Sequence, residues 1–106
     1  MMESLNVIQL KKELETDPQT VLLDVRDKWE YDLCHIDNSV NISLSEITER
    51  KDELDKQPRT VILCHHGMRS TIAGEYLISE GFEQIVNLEG GIDAWASTID
   101  QSMTRY

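Results

Sequence analysis

Cys64 ends the apolar run Val61-Ile62-Leu63 and is followed by His65-His66-Gly67-Met68-Arg69-Ser70, after which an amphipathic stretch begins at Thr71. A thiol between the end of a strand and the start of a helix lies where negative charge is favoured. The helix dipole and the free N–H groups of a first turn both attract an anion. The arrangement points to a nucleophilic thiolate. A free thiol is only slightly ionised near neutral pH. The loop offers three ways to favour the charged form. Backbone N–H groups can turn inward as an anion-binding nest, with Gly67 permitting the tight curvature. Arg69 can bring a fixed charge to the rim. The helix that follows adds its dipole. The competing reading of Cys64 is a small buried hydrophobe, a common state of an unpaired cysteine.

The residues around Cys64 narrow the chemistry. His65 or His66 could exchange a proton with the thiol, but neighbours in a tight loop point in different directions, so at least one should face solvent. Cys64, His65 and His66 are contiguous, whereas zinc sites separate their ligands, as in C-x₂-C; no metal is expected. Four residues, His65 to Met68, separate Cys64 from Arg69. Tyrosine-type phosphatases place one residue more between their Cys and Arg. The shorter loop makes a smaller cradle, better matched to a terminal sulfur or small anion than to a phosphoryl group.

Several elements must position this loop. Asn6 can cap a helix over Val7–Leu14 that ends at Asp17-Pro18. Val21–Val25 and Thr60–Leu63 are short apolar runs consistent with buried strands, and Ser39–Ile42 and Ile85–Leu88 read as two more. Asp27 can cap a short helix to about Leu33. Ser43 or Ser45 can open a helix through Leu54. Thr71–Ser79 reads as a helix stopped by Gly81, and Gly90-Gly91 leads into a final helix around Ile92–Trp95. Trp95 and Tyr76 are expected in the core, Met68 at an exposed loop tip, and the tail after Thr98 is polar and expected to be loose. Short strands alternating with helices predict an α/β fold with a mostly parallel sheet and helices on both faces. Sites in such sheets gather at the carboxyl ends of strands, where Cys64 stands.

The 106 residues suggest one domain, with a core at about 5–98. Twenty acidic against ten basic residues give a formal net charge of −10. That argues against nucleic acid and anionic lipid as partners, and any anion site must be local. No apolar run approaches a membrane span, and Met1-Met2-Glu3-Ser4 lacks the start of a secretory signal. Two cysteines make no disulfide framework, and a cytoplasmic setting is expected.

Three blocks resemble the single-domain rhodanese family, and together they cover about Leu5 to Trp95. The first is Leu22-Leu23-Asp24-Val25-Arg26 with Glu30-Tyr31 and His35-Ile36. The second is the Cys64–Ser70 loop, similar to the family's C-x-x-G-x-R-S form. The third is Gly81-Phe82, Val86, Leu88, Gly90-Gly91 and Trp95. The resemblance implies a small five-stranded, mostly parallel sheet and a thiosulfate sulfurtransferase-like enzyme that needs no cofactor. Cys64 would carry sulfur as a persulfide, taken from a small anionic donor or a persulfide donor protein. It would pass that sulfur to cyanide, a thiol or a sulfur-carrier protein. His65, His66, Gly67, Met68, Arg69 and Ser70 would form the substrate-binding loop, and Asp24 and Arg26 would support it through polar contacts. The six-residue loop from Cys64 to Arg69 matches the sulfur-transferring branch rather than the related phosphatases and arsenate reductases. Those enzymes, and a non-catalytic interaction module, are the alternatives. Cys34 departs from the pattern, replacing the glycine usual before the His-Ile pair; core filling is expected of it, with a resolving role as the rival. The compact, charged chain is expected to be a monomer.

Overall fold

A computed structural model describes residues 2–106. Five strands, β1 (Glu3–Leu5), β2 (Val21–Asp24), β3 (Val40–Asn41), β4 (Thr60–Leu63) and β5 (Ile85–Leu88), form one sheet in the order β1-β5-β4-β2-β3. Every pairing is parallel. Helices α1 (Val7–Thr16), α2 (Lys28–Leu33), α3 (Ile47–Arg50), α4 (Met68–Ser79) and α5 (Gly91–Thr98) connect or follow the strands.

The central strand shows why the sequence folds this way. All four residues of β4 are buried, and they alternate between two cores. Val61 and Leu63 pack with Leu10, Ile92 and Trp95 on the α1/α5 face. Ile62 and the following Cys64 pack with Ile47, Ala73 and Leu77 on the α3/α4 face. A strand covered on both faces needs apolar residues at every position, and the continuous run Val61-Ile62-Leu63 supplies them.

The strand order fixes where a ligand can sit. From β4 the chain crosses by α4 to β5 on one side; from β2 it crosses to β3 on the other. The strand order therefore diverges between β4 and β2, which opens a crevice at their carboxyl ends. Asp24 pairs in register with Leu63, so Val25 and Cys64 follow side by side there.

Several boundaries differ from the sequence expectation, each for a local reason. β1 goes unread in the sequence because it is three residues long and buries only Leu5. The expected strand Ser39–Ile42 shrinks to Val40–Asn41 at the sheet edge. The helix expected through Leu54 divides into 3₁₀ turns at Leu44–Glu46 and Lys51–Glu53 around α3. Asn6 caps α1 as expected, in a reciprocal bond pair with Gln9, and the helix runs on to Thr16. Two corrections bear on the site. Helix α4 begins at Met68 rather than Thr71, because Gly67 turns the chain at φ 147° and its carbonyl accepts bonds from the Ser70 and Thr71 hydroxyls. The tail after Thr98 is not loose: Ile99 and Met103 pack on the α1/α5 core, and Tyr106 reaches the crevice.

Candidate active site

Cys64 lies just past β4 and is only 2% exposed. The loop after it is oriented from behind by α5. Ile92 N–H donates to Cys64 O at 2.8 Å, and Asp93 N–H donates to His65 O at 3.1 Å. Gly67 O is taken by Thr71 N–H and by the Ser70 and Thr71 hydroxyls. With these carbonyls drawn outward, the N–H groups of His65 to Ser70 have no protein acceptor among the described residues. Successive unspent donors make an anion-binding cradle, and the start of α4 adds its dipole.

Gly91 makes this orientation possible. It has φ 57°, and a Cβ there would lie 2.6 Å from His65 O and closer still to Cys64 O. A side chain would push α5 off the loop. In the sequence Gly90-Gly91 reads only as a helix start, and the paired glycine directly before a helix is the signal of this close approach.

The side chains expected in the site divide into two groups. Cys64 Sγ lies 3.4 Å from Ser70 Oγ, which reaches Asn87 Oδ1 at 2.5 Å. Asn87 is the one polar residue of β5, and it faces the α4 side. Arg69 extends sideways and makes two bonds to the Glu30 carboxylate, at 2.7 and 2.8 Å. Its guanidinium, hydrogen-bonded to Glu30 and close to Cys64, is raised still further above its already high pKa. His66 is exposed and faces Asp93 at 3.8 Å. His65 is partly buried, and burial, reinforced by the neighbouring His66, lowers its pKa, which keeps it neutral at neutral pH. Met68 is 78% exposed at the rim. His65, His66 and Asp93 are near enough to share a cation, but Asp93 is already bonded to Arg105 at 2.9 Å.

Glu30, which the sequence marks only within the block Glu30-Tyr31, is the hub between the two sides of the crevice. It is buried on α2, and its Oε2 accepts from Asp27 N–H as well as from Arg69. Arg69, opposed by burial and assisted by Tyr106 and Asp27, pulls its carboxyl down to about 2. Asp24 and Arg26 are both fully buried and paired at 2.6 Å. Arg26 also donates to the main-chain oxygens of Glu30 and Cys34. The Asp24–Arg26 pair thus anchors α2, and α2 presents Glu30 to Arg69. Cys34 has an extended backbone, φ −164°, so the place usually held by glycine accepts a side chain without strain. Both cysteines are free thiols.

The chain is similar to several known proteins. The rhodanese-like domain family matches residues 6–98. Thiosulfate sulfurtransferase GlpE of Coxiella burnetii is 31% identical over 83 residues, covering 78% of each chain. The Bacillus subtilis protein YtwF, provisionally named a sulfurtransferase, is 37% identical over 93 residues, covering 88% of this chain and 89% of its own. Against another relative, Bacillus subtilis YrkF, the chain spans only 46% of the relative's length. The rhodanese-like domain protein of Staphylococcus aureus superposes with a TM-score of 0.86 at 30% identity, covering 99% of both chains. With the cradle at the sheet's switch point and the family match across most of its length, the chain belongs to the rhodanese-like domain family.

Proposed function

We propose that the chain is a sulfurtransferase that carries sulfane sulfur as a persulfide on Cys64. The observation that carries this reading is the set of unspent loop amides around a thiol at the start of α4. Thiosulfate is the donor whose chemistry fits best. The Cys64 thiolate attacks its outer sulfur, a new S–S bond forms, the old S–S bond breaks, and sulfite leaves with the electron pair. The loop amides hold the anion and then the persulfide. Arg69 attracts the donor's negative charge, shared with Glu30 in the resting protein. A nucleophilic acceptor, either cyanide, a thiol or a sulfur-carrier protein, attacks the outer sulfur and returns Cys64 to its thiolate. No cofactor takes part.

The same chemistry admits a persulfide donor protein in place of thiosulfate, with Met68 at the rim as an adaptable apolar contact. A reducing cytoplasm is the fitting compartment, since Cys64 must return to a thiol after each transfer. No helix among the described residues is long and apolar enough to cross a membrane. We take the working unit to be the monomer.

Intact mass after thiosulfate treatment tests the reading. The expected result is a gain of one sulfur, reversed by dithiothreitol and absent in Cys64→Ser. No gain from thiosulfate or from a small persulfide donor would overturn it. Steady hydrolysis of an aryl phosphate without sulfur uptake would favour phosphatase chemistry instead.

A further inference from the structure

Residues 99–106 leave α5 and return to the cradle, held at four places. Ile99 and Met103 pack against the α1/α5 core. Arg105 Nη2 bonds to Asp93 Oδ1 at 2.9 Å. Tyr106 makes the last attachment, and its contacts span the site. Its ring stacks on His65 with centroids 4.1 Å apart and planes 12° from parallel. Its hydroxyl accepts from Arg26 Nη1 at 3.0 Å and donates to Glu30 Oε1 at 2.7 Å. Trp29 meets its edge at 5.9 Å. A crevice lined by Cys34, His65, Ile92 and Ala96 lies beneath Thr104–Tyr106.

Tyr106 therefore touches one end of the loop directly and the other through Glu30. Its face covers His65, the first residue after Cys64. Its hydroxyl binds the carboxylate that holds Arg69, the loop's last residue. We propose that Tyr106 is a specificity-determining residue: its ring closes one side of the cradle's mouth, so that small nucleophiles pass beside it and bulky thiols must displace it. Displacement breaks the stack and both hydroxyl bonds together, and opening a terminal segment locally costs less than global unfolding. Burial, ahead of its polar neighbours, pushes the phenol up to about 12, so at neutral pH it keeps the proton it donates to Glu30. The identity of the acceptor rests on the sulfur-carrier reading, but the closure does not. Alkylation of a thiol needs no sulfur chemistry.

The test compares iodoacetamide with fluorescein maleimide in a Cys34→Ser background, where Cys64 is the sole thiol. Tyr106→Ala is expected to raise the ratio of bulky to small alkylation rates about ten-fold, the equivalent of about 1.4 kcal/mol of closure. Tyr106→Phe, which keeps the ring and loses both hydroxyl bonds, should fall between it and the parent. Arg105→Ala, which frees the neighbouring anchor, should shift the ratio in the same direction. An unchanged ratio in Tyr106→Ala, with native circular dichroism, overturns the proposal. If that variant does not fold, an unchanged ratio in Arg105→Ala overturns it instead. Absence of sulfur uptake by the parent would refute the carrier reading while leaving this ratio to stand or fall alone.

Discussion

Cys34 and Cys64 are both buried, at 8% and 2% exposure, and each has a polar partner within reach of its sulfur. Burial does not distinguish them; their neighbours do. Cys34 Sγ lies 3.8 Å from Arg26 Nη1, beside a positive charge. That guanidinium is already occupied by Asp24, by the main-chain oxygens of Glu30 and Cys34, and by Tyr106. Cys34 also closes the carboxyl end of α2, where a helix favours positive rather than negative charge. Cys64 stands at the opposite kind of end, before α4, in a loop whose N–H groups have no protein acceptor among the described residues. On the proposed reading, what sets Cys64 apart is donors left unspent, whereas the charge near Cys34 is already neutralised.

Replacing each cysteine gives the sharpest break between them. Cys64→Ser should abolish sulfur uptake, while Cys34→Ser should retain it within a few-fold, measured by intact mass over a thiosulfate time course. Loss of uptake in a folded Cys34→Ser protein would give Cys34 a part in the transfer and dissolve the contrast.

The two arginines repeat the contrast on the cation side. Arg26→Ala leaves Asp24 buried without its partner, and breaking such a pair costs about 3–5 kcal/mol. Arg69 is 33% exposed, and its pairing with Glu30 is open to water on one side. Its removal should cost less than that of Arg26, because the buried Glu30 carboxylate keeps its bonds from Asp27 N–H and the Tyr106 hydroxyl. It should raise the KM for thiosulfate about ten-fold, the loss of one good bond to a charged group. Urea melts and steady-state kinetics on both variants separate the roles. A larger melting loss for Arg69→Ala than for Arg26→Ala would reverse them.

Gly91→Ala tests whether the unspent donors depend on α5. The left-handed backbone costs a non-glycine residue about 1–2 kcal/mol. The collision with the Cys64 and His65 carbonyls adds about 1–3 kcal/mol of overpacking. Stability should fall by the sum or less, because α5 can back away. Sulfur uptake should fall further than the melting curve explains, since the loop carbonyls lose their donors. Uptake that follows the folded fraction alone would mean that the cradle is set by β4 and α4 without help from α5.

The elements of this site were unequally legible in the sequence. The strand β4, the loop and the parallel sheet could be read because burial on both faces demands an unbroken apolar run, and a tight turn demands a glycine at 67. The hub role of Glu30 and the closure by Tyr106 could not. Each depends on residues 39 and 76 positions away, Arg69 and Glu30 respectively, meeting across the crevice. No local periodicity marks such a pairing. The start of α4 was misplaced by three residues for a related reason. Met68-Arg69-Ser70 has no apolar stripe, and what makes it helical is the turn at Gly67 and the hydroxyl bonds back to its carbonyl.

Glu30 offers the finest test, because its charge belongs to the link between the two arginine neighbourhoods. The guanidinium of Arg69 draws its carboxyl from 4.5 down to about 2, against the opposing pull of burial. A depressed carboxyl binds its proton more weakly folded than unfolded. Its stabilisation is therefore complete above about pH 4.5 and is lost as pH falls toward 2. Glu30→Gln lacks this contribution at every pH. The gap in urea midpoint between the parent and Glu30→Gln should thus hold steady from neutral pH down to about 5 and then narrow as the medium is acidified further. A gap that stays constant into strong acid would mean that Arg69 does not hold Glu30 in solution. Arg69 would then be free at rest, as the unspent amides are, and its charge would be wholly available to the donor rather than shared.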